Sequence, residues 1–336
     1  MAKKSLDILL VFDVNFDPPS DQNYSKYYKL KDWKSEGDVY RSLKRLGHRV
    51  RTFGVFDDIY PLVKELRTSP PDLIFNMSEA FDSEREHEPN IASLFELMGV
   101  SFTGATPTAL RLCKDKALTK KILSYHNLRV PKFRVVKKGQ SVVKNIKSFD
   151  FPVLVKPLGL EASEGISLGS FVNTEKNCAK RVKYIHDKYD TDVILEEYID
   201  GRELYVGIVG NKKLITFPPR ELNFIDVPDH KPKIATYRSK WDDDYRWKWG
   251  IQNDPAFGLS KELRDEISEF CKKAYRALDL SGYARLDLRL TDEDEIVFLE
   301  ANPNPCIAKI EDFSVSAKKY GLDYDQLIEK IVSLAV

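Results

Sequence analysis

Apolar and polar positions alternate in blocks along the first hundred residues. Leu6 to Phe12 is an apolar run broken only by Asp7 and ended by Asp13, the pattern of a buried strand. Glu36 to Leu46 places Val39, Leu43 and Leu46 at helical spacing before Gly47, and a second strand is predicted over Arg49 to Phe53. Pro70-Pro71 introduces a third strand at Asp72 to Phe75, and Ile91 to Met98 reads as a helix stopped by Gly99. Strands and helices in alternation imply a parallel, doubly wound first domain.

The pattern then changes. Ala109 to Leu123 is expected to be one helix with Leu110, Leu112, Ala117, Leu118 and Ile122 near one face. Val130-Pro131 opens a strand-rich region, with strands predicted at Phe151 to Lys156, Val193 to Ile199, Tyr205 to Val209 and Lys213 to Phe217. Asp200-Gly201 and Gly210-Asn211 mark turns, and Trp241 to Trp249, polar and aromatic without a clear period, is expected to be a loop. The middle and end of the chain are thus α+β, with a first boundary near Pro107.

With 336 residues, 42% of them hydrophobic, the chain can bury a large core divided among two or three domains. Lysine and arginine number 53 against 52 acidic residues, and this balance disfavours a dedicated nucleic-acid binder. Cys113, Cys178, Cys271 and Cys306 form no CxxC pair, so neither a structural zinc nor a disulfide framework is expected and a reducing cytoplasm is the inferred setting. After Lys3 and Lys4, the apolar run Leu6 to Phe12, broken by Asp7 and ended by Asp13, is too short and too charged for a signal peptide or a membrane span.

The most informative chemistry lies near the C-terminus, where Tyr283 to Leu290 and Ile296 to Asn302 flank the acidic segment Thr291 to Glu295. This is a hairpin signature. Alternation puts Arg285 and Asp287 on one face, and Phe298, Glu300 and Asn302 on one face of the second strand. With the turn centred between Glu293 and Asp294, Asp287 falls opposite Glu300. Like charges across a strand pair repel, so the pair asks for a cation, and hard oxygen donors suit magnesium, which takes one or two carboxylates and fills its shell with water and phosphate. An exposed polar hairpin face has the same spacing, and the residues alone leave both readings open.

Two further segments carry candidate chemistry. Phe151 to Lys156 ends an apolar strand in a lysine, followed by a loop with Gly159, Ser163 and Gly165; an ammonium and backbone amides there can surround a phosphate, although a strand-end lysine and an ordinary loop look the same. Val193 to Glu203 runs from an apolar strand into Glu196, Glu197 and the Gly201 turn, which can hold an adenine amino group and ribose hydroxyls or simply form a charged hairpin.

Taken together the segments resemble the ATP-grasp superfamily, in particular its D-alanine–D-alanine ligase-like branch of carboxylate–amine ligases. The marks are Leu97 to Gly104, Cys113-Lys-Asp-Lys116, Val155-Lys156-Pro157, Glu196-Glu197-Tyr198 with Gly201-Arg202-Glu203, Tyr283-Ala-Arg285-Leu-Asp287 and Glu300-Ala-Asn302-Pro303-Asn304-Pro305. The resemblance implies a Rossmann-like N-terminal domain (1–107) followed by a two-lobed ATP-grasp fold, with a small lobe over 108–197 and a large lobe over 198–336. It implies ATP and Mg2+ as cofactors, small-molecule carboxylate and amine substrates, and no nucleic-acid or membrane partner, and it allows a homodimer. Lys116 and Lys156 correspond to the two phosphate lysines. Glu196, with the backbone of Glu197 and Ile199, corresponds to the adenine hinge, and Glu203 to the ribose ligand. Asp287, Glu300 and Asn302 match the magnesium ligands. Arg285 matches the arginine facing the acyl phosphate, with Lys240 and Ser163 as further groups at the reacting phosphates.

Such an enzyme phosphorylates a carboxylate with ATP, and an amine then displaces phosphate to leave an amide. Phosphorylation supplies the leaving group that a bare carboxylate lacks. The chain departs from the dipeptide ligases in three places: Asp13 to Pro19 replaces a glycine-rich loop with a substrate-binding glutamate, Ala162-Ser163 replaces paired serines, and Asn76 to Glu79 replaces a His-Gly pair. These point to an amino acid or peptide other than D-alanine, with Asp13, Asp17, Glu79 and Arg220 as replacement charges. A nucleotide-holding regulatory module without turnover and an ATP-dependent phosphotransferase are the alternatives.

Overall fold

Strand β1 (Asp7–Asp13) lies between β2 (Arg49–Val55) and β3 (Leu73–Asn76), paired in parallel with both. Ile8, Leu10 and Phe12 of β1 face one core, with Val39 and Leu43 of helix α1 (Lys34–Arg45). Leu9 and Val11 face another, with residues of α2 (Tyr60–Thr68) and α3 (Glu88–Met98). A parallel sheet covered on both faces explains the nearly unbroken apolar run of β1. Gly47 and Gly99 close α1 and α3 with left-handed φ values of 86° and 67°. The computed structural model describes residues 5–140, 149–160, 162–228 and 231–336; Lys3 and Lys4 lie outside them, as does Glu161 of the glycine-serine loop.

The helix expected over 109–123 is two helices, α4 (Pro107–Lys114) and α5 (Lys116–Tyr125). Asp115 divides them because its carboxylate accepts from the Ala117 and Leu118 amides at 3.0 and 2.9 Å, a cap that starts a new helix. Leu118 consequently points to solvent and not to the apolar face. Strands β4 (Phe133–Val136), β5 (Val153–Pro157), β6 (Phe171–Val172) and β7 (Val193–Glu197) form an antiparallel sheet in the order β4-β7-β5-β6, with α6 (Glu175–Tyr189) packed on it through Cys178, Val182 and Ile185.

The largest sheet is antiparallel and runs β11-β10-β8-β12-β13, from β8 (Arg202–Val209), β10 (Arg220–Phe224), β11 (Ile251–Pro255), β12 (Tyr283–Leu290) and β13 (Ile296–Pro303). The strand expected over Lys213 to Phe217 shortens to β9 (Ile215–Thr216), paired with β8. One face of this sheet, with Leu204, Val206, Leu286 and Leu288, packs on α4, α5 and α9 (Lys261–Ala277). The expected loop at Trp241 to Trp249 is helical instead: α7 (Tyr237–Trp241) and α8 (Asp243–Lys248) are capped by Thr236 and Asp242, and the caps supply what apolar periodicity does not. Helices α10 (Asp312–Tyr320) and α11 (Tyr324–Leu334) return to the first sheet, where Leu327, Ile328 and Ile331 join the core of β1 and α1. Among the described residues no helix is long and apolar enough to cross a membrane.

The hairpin pairs Asp287 with Glu300, as alternation predicts, but its register shifts at the next step, where Leu288 faces Phe298. Leu299 is the extra residue of a β-bulge. The bulge reverses parity, so Phe298 joins the buried core with Leu288 and does not share a face with Glu300.

Candidate active site

Register places the polar groups of the large sheet in rows on the face opposite its core. Arg220, Tyr205, Asp287 and Glu300 stand side by side on β10, β8, β12 and β13. Arg285 and Asn302 form the next pair, and Glu203 stands beside Arg289 on the other side. Arg285 donates to both oxygens of Asp287 at 2.7 and 2.9 Å, and its guanidinium lies 4.6 Å from the centre of the Tyr205 ring. This two-point grip fixes the guanidinium plane and keeps its charge.

The smaller sheet contributes cations from above. Lys156, near the end of β5, donates to Glu196 of β7 at 2.5 Å, and Lys120 of α5 reaches the other Glu196 oxygen at 2.7 Å. Burial raises the Glu196 carboxyl, but the two ammonium groups outweigh it and pull the group down to about 2. Lys116, at the start of α5, donates to the Leu160 carbonyl at 2.5 Å and lies 3.8 Å from Glu300. Glu300 is partly buried, yet Lys116, Lys240, Lys156 and Lys120 hold it below the usual carboxylate range. Lys120 was not among the residues expected from sequence; it sits one helical turn after Lys116, and that i, i+4 spacing is the signal that places both on one helix face.

Most of these groups meet in one cleft between the two sheets, while Arg285, Asn302 and Lys120 stand outside its lining. Lys156, Ser163, Glu196, Glu197 and Ile199 line it from the small sheet and its loops, and Lys116 from the start of α5. Glu203, Lys240, Asp287 and Glu300 line it from the large sheet and α7. The Ala162-Ser163 turn, with φ of 51° and 61°, crosses between the two sides: the Ser163 hydroxyl donates to the Ala235 carbonyl at 3.0 Å and the Trp241 indole donates to the Ala162 carbonyl at 3.0 Å. The Glu197 amide is committed to the Lys132 carbonyl at 2.8 Å, and its carboxylate accepts from Lys132 and Arg129. What this segment has left for a ligand is therefore its carbonyl and the Ile199 backbone.

Two expected substrate residues stand apart from the cleft lining. Arg220 donates to Asp312 at 2.6 Å and to the Asn253 carbonyl, one strand beyond Tyr205. Glu79 is half exposed and 3.0 Å from Arg85. Asp13 is also engaged locally, accepting from the Glu79 and Ala80 amides at 2.6 and 3.3 Å.

The donor set fits a magnesium ion. Among the described residues no group of three or more His, Cys, Asp or Glu side chains is arranged to hold a metal, but magnesium needs only one or two carboxylates beside phosphate and water. Asp287 and Glu300 face each other directly, and each Asp287 oxygen keeps a lone pair after accepting from Arg285. The Asn302 Nδ2 is buried without a partner among the described residues; as an N–H donor it suits a phosphate oxygen, and only the Oδ1 of the same amide could serve the cation.

Residues 121–333 match the family described as D-ala D-ala ligase C-terminus. The chain is 28% identical over 276 residues to the uncharacterized protein y4sG of Sinorhizobium fredii, covering 80% of this chain and 78% of that one. It is 29% identical over 251 residues to a D-alanine–D-alanine ligase of Desulforudis audaxviator, covering 73% and 76%. The D-alanine–D-alanine ligase of Bacillus anthracis complexed with ATP superposes with a TM-score of 0.74 at 18% identity, over 99% of this chain and 97% of that one, which establishes the shared ATP-grasp architecture. With the family match spanning more than half of its length, the chain belongs to the D-alanine–D-alanine ligase family of ATP-grasp enzymes, which form carbon–nitrogen bonds between a carboxylate and an amine.

Proposed function

We propose that this ligase uses ATP and magnesium to phosphorylate a carboxylate and then joins it to an amine, releasing ADP and phosphate, with an amino acid or short peptide other than D-alanine as substrate. The observation that carries the reading is the cleft itself: Lys116 and Lys156 on one side face Asp287 and Glu300 on the other, with Arg285 clamped beside them.

In this reading Lys116, Lys156 and Lys240 neutralise the phosphates, and Glu196 keeps Lys156 charged and oriented. Ile199 and the Glu197 carbonyl hold the base, and Glu203 the ribose. Asp287, Glu300 and Asn302 would hold magnesium, which when bound offsets the charge on the transferring phosphoryl group. Arg285 spends its Nε and one Nη2 proton on Asp287, and its remaining N–H groups stabilise the charge that develops when the amine attacks. Ser163 holds the loop closed over the site through Ala235.

The substrate assignment is supported by the segment after β1. The acid at the end of that strand, Asp13, is fastened through its Oδ1 to the Glu79 and Ala80 amides, which leaves its Oδ2 to meet a substrate ammonium from a different position than a glutamate on a glycine-rich loop. A zwitterionic substrate needs a partner for each charge, because an unpaired buried charge is costly.

The test is a panel of amino acids and dipeptides, singly and in pairs, with ATP and magnesium, scored for released phosphate and product mass. Phosphate release that requires both a carboxylic acid and an amine is expected. Release without an amine would overturn the ligase reading, and D-alanyl-D-alanine formed at a kcat/KM of about 10⁴ M⁻¹s⁻¹ or above would overturn the substrate assignment.

A further inference from the structure

Arg289 carries a donor that the protein leaves unmatched. It projects from β12 on the site face, is only 3% exposed and lines the cleft. Its Nη1 donates to the Gly201 carbonyl at 2.9 Å, and its Nη2 donates to Glu203 at 3.0 Å and more weakly to the Lys233 carbonyl at 3.4 Å. The Nε–H is buried and has no partner among the described residues. A charged N–H sealed from water without an acceptor is rare and costly, so the site calls for an acceptor that arrives with a ligand.

The neighbouring group sharpens the chemistry. Glu203 accepts from the Tyr205 hydroxyl at 3.1 Å on one oxygen and from Arg289 on the other, and each oxygen retains a second lone pair. A carboxylate acceptor and a guanidinium donor, joined by their own ion pair, are thus offered together on the floor of the cleft. A vicinal diol matches them, one hydroxyl donating to the carboxylate and the other accepting from Nε–H. We infer that Arg289 acts with Glu203 as a ribose clamp, so that the enzyme selects ribonucleotides through a direct contact from Arg289. This rests on the nucleotide reading above and adds a ligand-contacting residue to it.

The competing role is an anchor that merely ties Gly201 and Lys233 to β12. Calorimetric binding of ATP, 2′-deoxy-ATP and 3′-deoxy-ATP separates the two without any knowledge of the acid and amine substrates. The wild-type protein should bind ATP, and at least one deoxy analogue should bind roughly tenfold more weakly or worse, since a hydrogen bond to a charged group is lost. That gap should close in Arg289→Met and in Arg289→Lys, the second variant retaining a cation beside Glu203. Equal binding of all three nucleotides by the wild type would overturn the clamp, as would variants that weaken all three equally. No ATP binding at all would overturn the nucleotide reading itself.

Discussion

The Lys120 ammonium donates to the carbonyl of Leu299 at 3.0 Å, and Leu299 is the residue bulged out of β13. The same ammonium lies 2.7 Å from Glu196 on β7. One buried cation therefore ties β7 of the small sheet to the bulge beside the Asp287–Glu300 pair. A bulge leaves an unpaired backbone group, and here a side chain satisfies it.

Lys120→Met keeps the unbranched apolar stem of the side chain but removes the ammonium that makes the tie. It leaves the Leu299 carbonyl without its donor and Glu196 with a single cation, so a stability loss of about 3 kcal/mol is expected. Urea unfolding checks this, and an unchanged midpoint would contradict it.

Glu196 gives the protein an acid-sensitive joint. Its folded carboxyl lies near 2 against an ordinary value of 4.5, so its contribution is fully present above about pH 4.5 and is lost as pH falls toward 2. The loss amounts to about 3 kcal/mol at 1.4 kcal/mol per unit. Stability measured across that window should fall less steeply in Glu196→Gln than in the wild type; parallel slopes would count against the pairing with Lys120 and Lys156.

Glu300→Gln should fold normally and lose turnover. Four lysines hold this carboxylate charged in the cleft, and the amide that replaces it matches its shape without its charge. The variant should bind nucleotide with an affinity no longer improved by magnesium, a comparison that calorimetry with and without the metal makes directly. Wild-type magnesium dependence would remove Glu300 from the metal set.

Glu36, in the first turn of α1, behaves in the opposite sense to Glu196. Burial, and then the charges of Glu79 and Asp13, push its carboxyl up to about 7, and its Oε2 has no partner among the described residues. A raised carboxyl means that the folded chain keeps a proton that the unfolded chain gives up between pH 4.5 and 7, so stability falls as pH rises through that window. Glu36→Gln should stabilise the protein by up to about 3 kcal/mol at pH 8 and have little effect at pH 4, which unfolding at the two pH values checks.

Much of the architecture was readable from period alone. The apolar run of β1, the α1 stripe of Val39 and Leu43, and the Asp287–Glu300 pairing follow from local rules, because each lies in a regular element whose one face is buried. Phe298 was misplaced because alternation counts residues and a bulge adds one. The α7–α8 segment was missed because its helices rest on Thr236 and Asp242 caps and not on an apolar stripe. Lys120 was passed over because a lysine is by default a solvated side chain. Its burial is set by Glu196 and Leu299, 76 and 179 positions away, and no local pattern reports partners that distant.

The core shared by β1, α1 and α11 bears on how the chain is made. Phe12, Val39 and Leu43 are covered partly by Leu327, Ile328 and Ile331, and Asp325 accepts from Ser42 and Arg45 at 2.6 Å. On the ribosome, at about 5–20 residues per second, the first sheet waits tens of seconds for the helix that completes it. Throughout that interval an apolar surface stays open on the nascent polypeptide, and contacts spanning nearly 300 positions must close last, at a large entropic cost. Folding of the first sheet is thereby coupled to synthesis of α11, and a chain halted before α11 presents chaperones and proteases with an unfinished core.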